Sequence, residues 1–348
     1  MAGTPQPVIP PALAGDAGPA TDKGRLLAMD SVSPARHWIG LLADSEDLHV
    51  LRFAEDGQVP ERRKIAAAPI LRGSTPLADA INELCSDWLQ YSPATALVGA
   101  GLNALLPADT APAPIEVPFE LAPLARLLRP IRQPGLPDLH LLPDFAQNGI
   151  LPGRIDHGTA ALLGVRSSTD EADLLVGLLG EQHQWVRLDR QRVRRLVSFI
   201  TPSLQRLLSG SADQSADTPT DTSADWHAGA FDFGLAVARG EEQQAGMLAS
   251  LGSPQALVRS GQLAATEQGS FRHGLLIGHE LLGLKRMEPD AAPHCPVILV
   301  GPEDRCLRYA RALQLFGFEH VERARQAAER GLWQLARTLD HGAPEPAG

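Results

Sequence analysis

Two segments of this 348-residue chain open in the same way, as an apolar strand, a turn and a second apolar strand. In residues 26–42, Leu26-Leu27-Ala28-Met29 ends on Asp30, Ser31-Val32-Ser33-Pro34 turns, and Trp38-Ile39-Gly40-Leu41-Leu42 follows. In residues 173–188, Leu174-Leu175-Val176-Gly177-Leu178-Leu179-Gly180 passes through Glu181-Gln182-His183-Gln184 into Trp185-Val186-Arg187-Leu188. Such a repeat at the heads of two halves predicts an internal duplication of an α/β unit. A chain this long also exceeds most single cores. A carboxylate closing a buried strand is costly without a partner, so Asp30 reads as a site residue at the sheet's mouth. There it could hold a metal, with the turn beside it offering amides and hydroxyls to phosphate.

Taken in order, residues 48–53 alternate and predict a third strand, 60–73 an irregular loop, and 76–89 a helix carrying Leu77, Ile81, Leu84 and Trp88. Residues 94–101 read as a buried strand running into a glycine turn. The prolines of 107–137 predict an exposed excursion or short edge strands. A short strand at 138–143 and a small-residue helix at 159–164 close the first half. In the second half, 196–201 reads as a strand and 202–205 as a helix start. Residues 209–225, rich in Ser, Ala, Asp and Thr, read as a disordered loop. A helix at 271–287, a strand at 296–301, a helix at 305–316, a short strand at 319–321 and a helix at 324–339 complete the chain. The expected division is a tail at 1–23, lobes at 24–165 and 166–340, and a tail at 341–348.

Composition narrows the function. The net charge of −10 argues against nucleic acid and anionic membranes as partners. The basic run at 187–195 lacks aromatics for base stacking and reads as a solvated face. Cys85, Cys295 and Cys306 have no metal-ligand spacing, which fits reduced thiols in a cytoplasmic protein. No run of eighteen apolar residues marks a membrane span, and the first 22 residues lack the regions of a signal peptide.

The chain resembles the 2-dehydro-3-deoxygalactonokinases over residues 26–339. The likeness rests on Asp30, Arg36-His37-Trp38, Trp185, Gly274-Leu275-Leu276-Ile277-Gly278-His279-Glu280, and Leu299-Val300-Gly301 followed by Leu307, Tyr309 and Ala312-Leu313. It implies a duplicated, two-lobed actin/hexokinase-like (ribonuclease H-like) fold of the α/β class with an interlobe cleft. It also implies transfer of the γ-phosphate of ATP, with Mg2+, to the 6-hydroxyl of a 2-keto-3-deoxy sugar acid. Carried over, Asp30 would hold the metal and, with Asp156, act in catalysis. Ser31, Ser33, Gly180, Thr201 and Gly301 would meet the nucleotide, and Arg154 and His157 the sugar acid.

Five of the family's site phrases are altered here. Its Asp-Trp-Gly turn reads Asp30-Ser31-Val32-Ser33-Pro34, and its Arg-Gly-Glu-Glu-Thr reads Arg154-Ile155-Asp156-His157-Gly158. Its Pro-Gly-Thr-His reads Leu179-Gly180-Glu181-Gln182, its Thr-Gly-Glu reads Thr201-Pro202-Ser203, and its late Gly-Asp falls at Ala324-Arg325. Glycine turns grip phosphate because positive φ is open to them. Val32 resists that conformation, Pro34 has no N–H, and Glu181 would repel phosphate oxygens. The alternative to a kinase is therefore an inactive relative that keeps the fold as a sugar-acid-binding or interaction module. Plainer roles stay open too: Ser31 and Ser33 as turn residues, Arg154 and Asp156 as a surface pair, His183 as an exposed strand residue, His279 as a packed or capping histidine. A homodimer through the helix at 271–287 is a further expectation.

Overall fold

Trp38–Ala43 (β1) is the strand around which the first sheet forms. Its apolar residues pair antiparallel with Asp47–Phe53 (β2), from Trp38 opposite Phe53 to Ala43 opposite Leu48. On its other edge β1 pairs in parallel with Leu97–Ala100 (β4). With both edges taken, β1 is the first strand of its hairpin rather than the returning one, which corrects the hairpin expected over residues 26–42. The turn falls at 44–46. The expected strand at 26–30, and with it Asp30, Ser31 and Ser33, lies outside the described residues. The computed structural model describes residues 38–91, 97–169, 173–209, 226–240, 246–289, 291 and 294–340. All of these belong to one unit, residues 36–348. The tails at 1–23 and 341–348 and nearly all of 209–225 fall outside them.

The loop expected at 60–73 is instead an edge strand, Glu61–Ala66 (β3), and a short helix, Ala68–Leu71 (α1). β3 carries Glu61, Arg62, Arg63 and Lys64, a charged edge that resists pairing with other chains and hides from any apolar pattern. Arg63 earns its place by bonding Asp87 and the Leu84 carbonyl and lying 4.3 Å over the Trp88 ring. Those partners sit on Leu77–Tyr91 (α2), whose Leu77, Ile81, Leu84 and Trp88 are buried as expected.

The proline-rich excursion supplies short strands: Ile115–Glu116 (β5), Phe119–Glu120 (β6) and Arg129–Ile131 (β7). Leu139–Leu142 (β8), Phe145–Gln147 (β9), Gly153–Ile155 (β10) and Thr159–Arg166 (α3) follow. The second half repeats the hairpin as Asp173–Leu179 (β11), His183–Asp189 (β12) and Arg192–Phe199 (β13), then helix Thr201–Ser209 (α4). Helices Ala228–Arg239 (α5), Gly246–Leu251 (α6), Ser253–Arg259 (α7) and Gln268–Met287 (α8) precede Val297–Val300 (β14). Glu303–Leu315 (α9), Val321–Arg323 (β15) and Ala327–Asp340 (α10) end the described chain.

The two large sheets carry the duplication. The first runs β3-β2-β1-β4-β8-β7 and the second β15-β14-β11-β12-β13-β6. In each, three antiparallel strands are followed by two parallel additions beside the first, β4 and β8 in one, β14 and β15 in the other. Elements cross between the halves. β6, from the first half, closes the edge of the second sheet, and Leu332 of α10 packs toward Gly40 of β1.

α3 and α10 cross where side chains are absent. A Cβ on Gly164 would strike the Ala327 carbonyl, and one on Gly331 the Ala160 carbonyl. Around this crossing one core joins Leu51, Phe53 and Val98 of the first sheet to Val176, Val186 and Ile298 of the second. α8 buries Phe271, Leu275, Ile277, Leu281 and Leu284 inside the chain. Its apolar face is therefore covered within the chain.

Candidate functional site

The duplicated hairpins bring their turns to one cavity of about 290 Å³. Leu42, Ala43 and Asp44 reach it from the end of β1, Leu178, Leu179 and Gly180 from the end of β11, and Val300 and Gly301 from the end of β14. His157 and Gly158 enter ahead of α3, and Ala328 and Glu329 from the first turn of α10. The carboxyl ends of parallel strands in an α/β sheet are where ligands bind in such folds.

The first turn is closed by its own carboxylate. Asp44 Oδ1 accepts the backbone N–H of Glu46 at 2.9 Å and of Asp47 at 2.7 Å, while Oδ2 lies 3.1 Å from His49 Nε2. Burial opposes its ionisation, but the amides of Asp47 and Glu46 together with His49 outweigh that and hold the carboxyl below its ordinary value. The second turn is pinned from behind. Arg305 Nη1 donates to the Leu179 carbonyl at 3.0 Å and to the Gly180 carbonyl, and Glu181 pairs with Arg206 at 2.9 Å. Across the cavity Arg62 pairs with Glu329 at 2.6 Å.

Of the residues singled out in the sequence, Gly180, Gly301 and His157 line this cavity together. Arg154 and Asp156 do not. Arg154 lies between two carboxylates, 2.6 Å from Asp144 Oδ2 and 2.6 Å from Asp156 Oδ1. Asp144 is 1% exposed, and burial outweighs its bond to Arg154, pushing its carboxyl up to about 6. Thr201 is buried beside Glu280, to which its hydroxyl is hydrogen-bonded. Glu280 also accepts from Trp185 Nε1 at 2.7 Å and from the Tyr309 hydroxyl at 2.7 Å, and it faces His183 Nδ1 at 3.1 Å. His183 is thus part of a buried network, at 3% exposure, and not the exposed strand residue expected. His279 is half-buried beside Ser250, in line with a packed histidine. The three cysteines are free and buried.

Sequence reading missed Asp44, His49, Arg62, Glu329 and Asp144. One signal was present for Asp44. It stands just past an apolar strand, as Gly180 does after β11, once the repeat is registered on residues 38–53 rather than 26–42.

Two sheets that share one order over five strands, with a cavity at their strand ends, define the actin/hexokinase-like fold. The sequence matches the model of the 2-keto-3-deoxy-galactonokinase family over residues 45–335, and the chain belongs to that family. No individually curated protein matches it. A crystal structure from Sinorhizobium meliloti, inferred to be a 2-dehydro-3-deoxygalactonokinase, superposes with a TM-score of 0.67 at 22% identity, covering 87% of this chain and 99% of that one. An inferred sugar kinase from Cytophaga hutchinsonii gives a TM-score of 0.42 at 11% identity, with 87% and 99% covered. A ROK family glucokinase from Streptomyces griseus, solved with glucose and AMPPNP, gives 0.39 at 14% identity, with 88% and 100% covered. Among the described residues no helix is long and apolar enough to cross a membrane.

The family implies ATP and a magnesium ion. A triphosphate needs unengaged turn amides, and its metal needs carboxylates or other oxygens. Here the Glu46 and Asp47 amides are taken by Asp44, and Glu329 is held by Arg62. Among the described residues no group of three or more His, Cys, Asp or Glu side chains is placed to hold a metal. As arranged, the amides of the first turn and Glu329 are engaged within the chain and are not free to meet Mg-ATP.

Proposed function

We propose that this family member binds a small sugar acid in its interlobe cleft without transferring phosphate to it. The observation that carries this reading is the Asp44 carboxylate on the Glu46 and Asp47 amides. An anion built into the turn satisfies the donors a phosphate would use and adds repulsion of a few kcal/mol, on the order expected for like charges about 4 Å apart near a surface. The cavity suits a compact polar ligand. Leu42, Leu51, Leu178 and Val300 form apolar wall, and His49, Arg62 and His157 stand around it. Arg154 does not line the cavity; Arg62 does, and it would meet a ligand carboxylate in exchange for Glu329.

Family membership favours a second reading, an active 2-dehydro-3-deoxygalactonokinase of the cytoplasm working in galactonate degradation. In it Asp30 holds Mg2+, Asp156 acts in catalysis, Ser31, Ser33, Gly180, Thr201 and Gly301 meet ATP, and Arg154 and His157 meet the sugar acid. Coupled ADP release with Mg-ATP and 2-dehydro-3-deoxygalactonate separates the two. Turnover supports the kinase; a thermal shift from the sugar acid alone, with no ADP released, supports the binding module.

A further inference from the structure

Arg62 and Glu329 meet across the cleft although 267 positions separate them. Arg62 stands on β3, the outer strand of the first sheet, and Glu329 in the first turn of α10. Among the described residues Arg62 is the one lysine or arginine on the cavity wall, so an acid entering the cleft has this guanidinium to meet. Its Nη2 lies 2.6 Å from Glu329 Oε1. The Glu329 carboxylate therefore takes the donor, and carries the charge, that the carboxylate of a ligand would take and carry.

The pair is placed to open. The Arg62 side chain is 50% exposed, so solvent screens the attraction. Glu329 also has a second place to go. A cavity of about 470 Å³ adjoins the cleft at the first turn of α10, and Glu329 lines both, with Val300, Gly301 and Ala328. On its wall Arg323 and Arg325 bond the same oxygen, Glu303 Oε1, at 3.2 and 3.0 Å. One carboxylate against two guanidiniums leaves a positive charge over, so a carboxylate displaced from Arg62 finds opposite charge beside it. The N-terminal end of α10 favours an acid in either position.

We propose that Glu329 is a built-in competitor for the ligand carboxylate, occupying Arg62 until a sugar acid takes its place. The inference rests on the sugar-acid reading of the cleft and adds how that cleft selects. Only a ligand that brings its own carboxylate offsets the loss of the Arg62–Glu329 pair; a neutral sugar of the same shape does not. Glu329 thus lowers affinity for every ligand and makes a negative charge the condition of entry.

The test is calorimetric titration of the full chain at pH 7 with 2-dehydro-3-deoxygalactonate and with its methyl ester, no nucleotide being present. The wild type is expected to bind the acid more tightly than the ester. Glu329→Gln, which keeps the shape and removes the charge, is expected to tighten the acid about fivefold and to leave the ester unchanged, the size of a partly exposed ion pair. Arg62→Gln, on an exposed side chain of an edge strand, is expected to weaken the acid about tenfold. In that background Glu329→Gln should bring no gain, because the competition has lost its object. A structural role for Glu329 would move acid and ester together. Equal or weaker acid binding in Glu329→Gln, an equal gain for the ester, or unchanged affinity in Arg62→Gln overturns the competitor and leaves the cleft its ligand. No binding of the acid by the wild type or by Glu329→Gln overturns the sugar-acid reading, and the competitor with it.

Discussion

Asp44 Oδ1 accepts the backbone N–H of Asp47 at 2.7 Å, closing from within the turn between β1 and β2. Asp44→Ala removes this bond and the one to Glu46, and is expected to cost about 1 kcal/mol, the typical value for a lost cap. Thermal melts read this as a drop of roughly 2–4 °C. The folded carboxyl lies below its ordinary value, so its contribution is present above the unfolded value of 3.8 and is lost as pH falls below that. The gap between wild type and variant therefore closes on acidification.

Asp144 behaves in the opposite sense. Its folded carboxyl titrates at about 6 against 3.8 unfolded, so the stability linked to its proton is complete below about pH 4 and is lost as pH rises to 6. The displacement corresponds to about 3 kcal/mol. Denaturant melts at pH 5 and pH 7 should show the wild type losing stability relative to Asp144→Asn across this window, even if the variant starts lower through its weakened bond to Arg154.

The Glu280 network predicts graded damage. Tyr309→Phe removes one donor and is expected to cost about 1–3 kcal/mol. Glu280→Ala, which leaves His183, Trp185 and Tyr309 facing an empty site, is expected to cost about 3–5 kcal/mol. Urea unfolding of the two variants checks both the sign and the order.

Glycine substitutions separate crowding from helix propensity. Gly331→Ala places a methyl against the Ala160 carbonyl and is expected to destabilise by about 1–3 kcal/mol or more as α3 and α10 part. Gly269→Ala, in the same kind of helix but with nothing within 4 Å, is expected to stabilise by up to about 1 kcal/mol. Equal effects from the two would contradict the crossing described above.

What the sequence disclosed follows from which signals are local. The second hairpin, α2, α8, β14, α9 and α10 were legible because each carries its own apolar period. The duplication was legible as well, but its first copy was registered one strand too early. The run Leu26-Leu27-Ala28-Met29 before an acid looks like a strand ending in a site, whereas Ala43-Asp44 looks like an ordinary strand end. Only the pairing of β1 with both β2 and β4 separates the two. β3 was hidden because its order comes from Arg63 reaching Asp87 and Trp88, 24 and 25 positions on. At the site, Gly180, Gly301 and His157 were found from motif positions. Arg62, Asp144 and Glu329 were not, because an ion pair between distant segments leaves no trace in spacing.

The central claim is that the cleft takes the sugar acid and not the nucleotide. The most direct measurement is the thermal shift of the full chain with Mg-ATP and, separately, with 2-dehydro-3-deoxygalactonate, each in large excess. A ligand at a hundred times its Kd stabilises by about 2.7 kcal/mol. The account predicts a shift of that size with the sugar acid and none with millimolar Mg-ATP. A shift with Mg-ATP, accompanied by ADP release when the sugar acid is added, would contradict it.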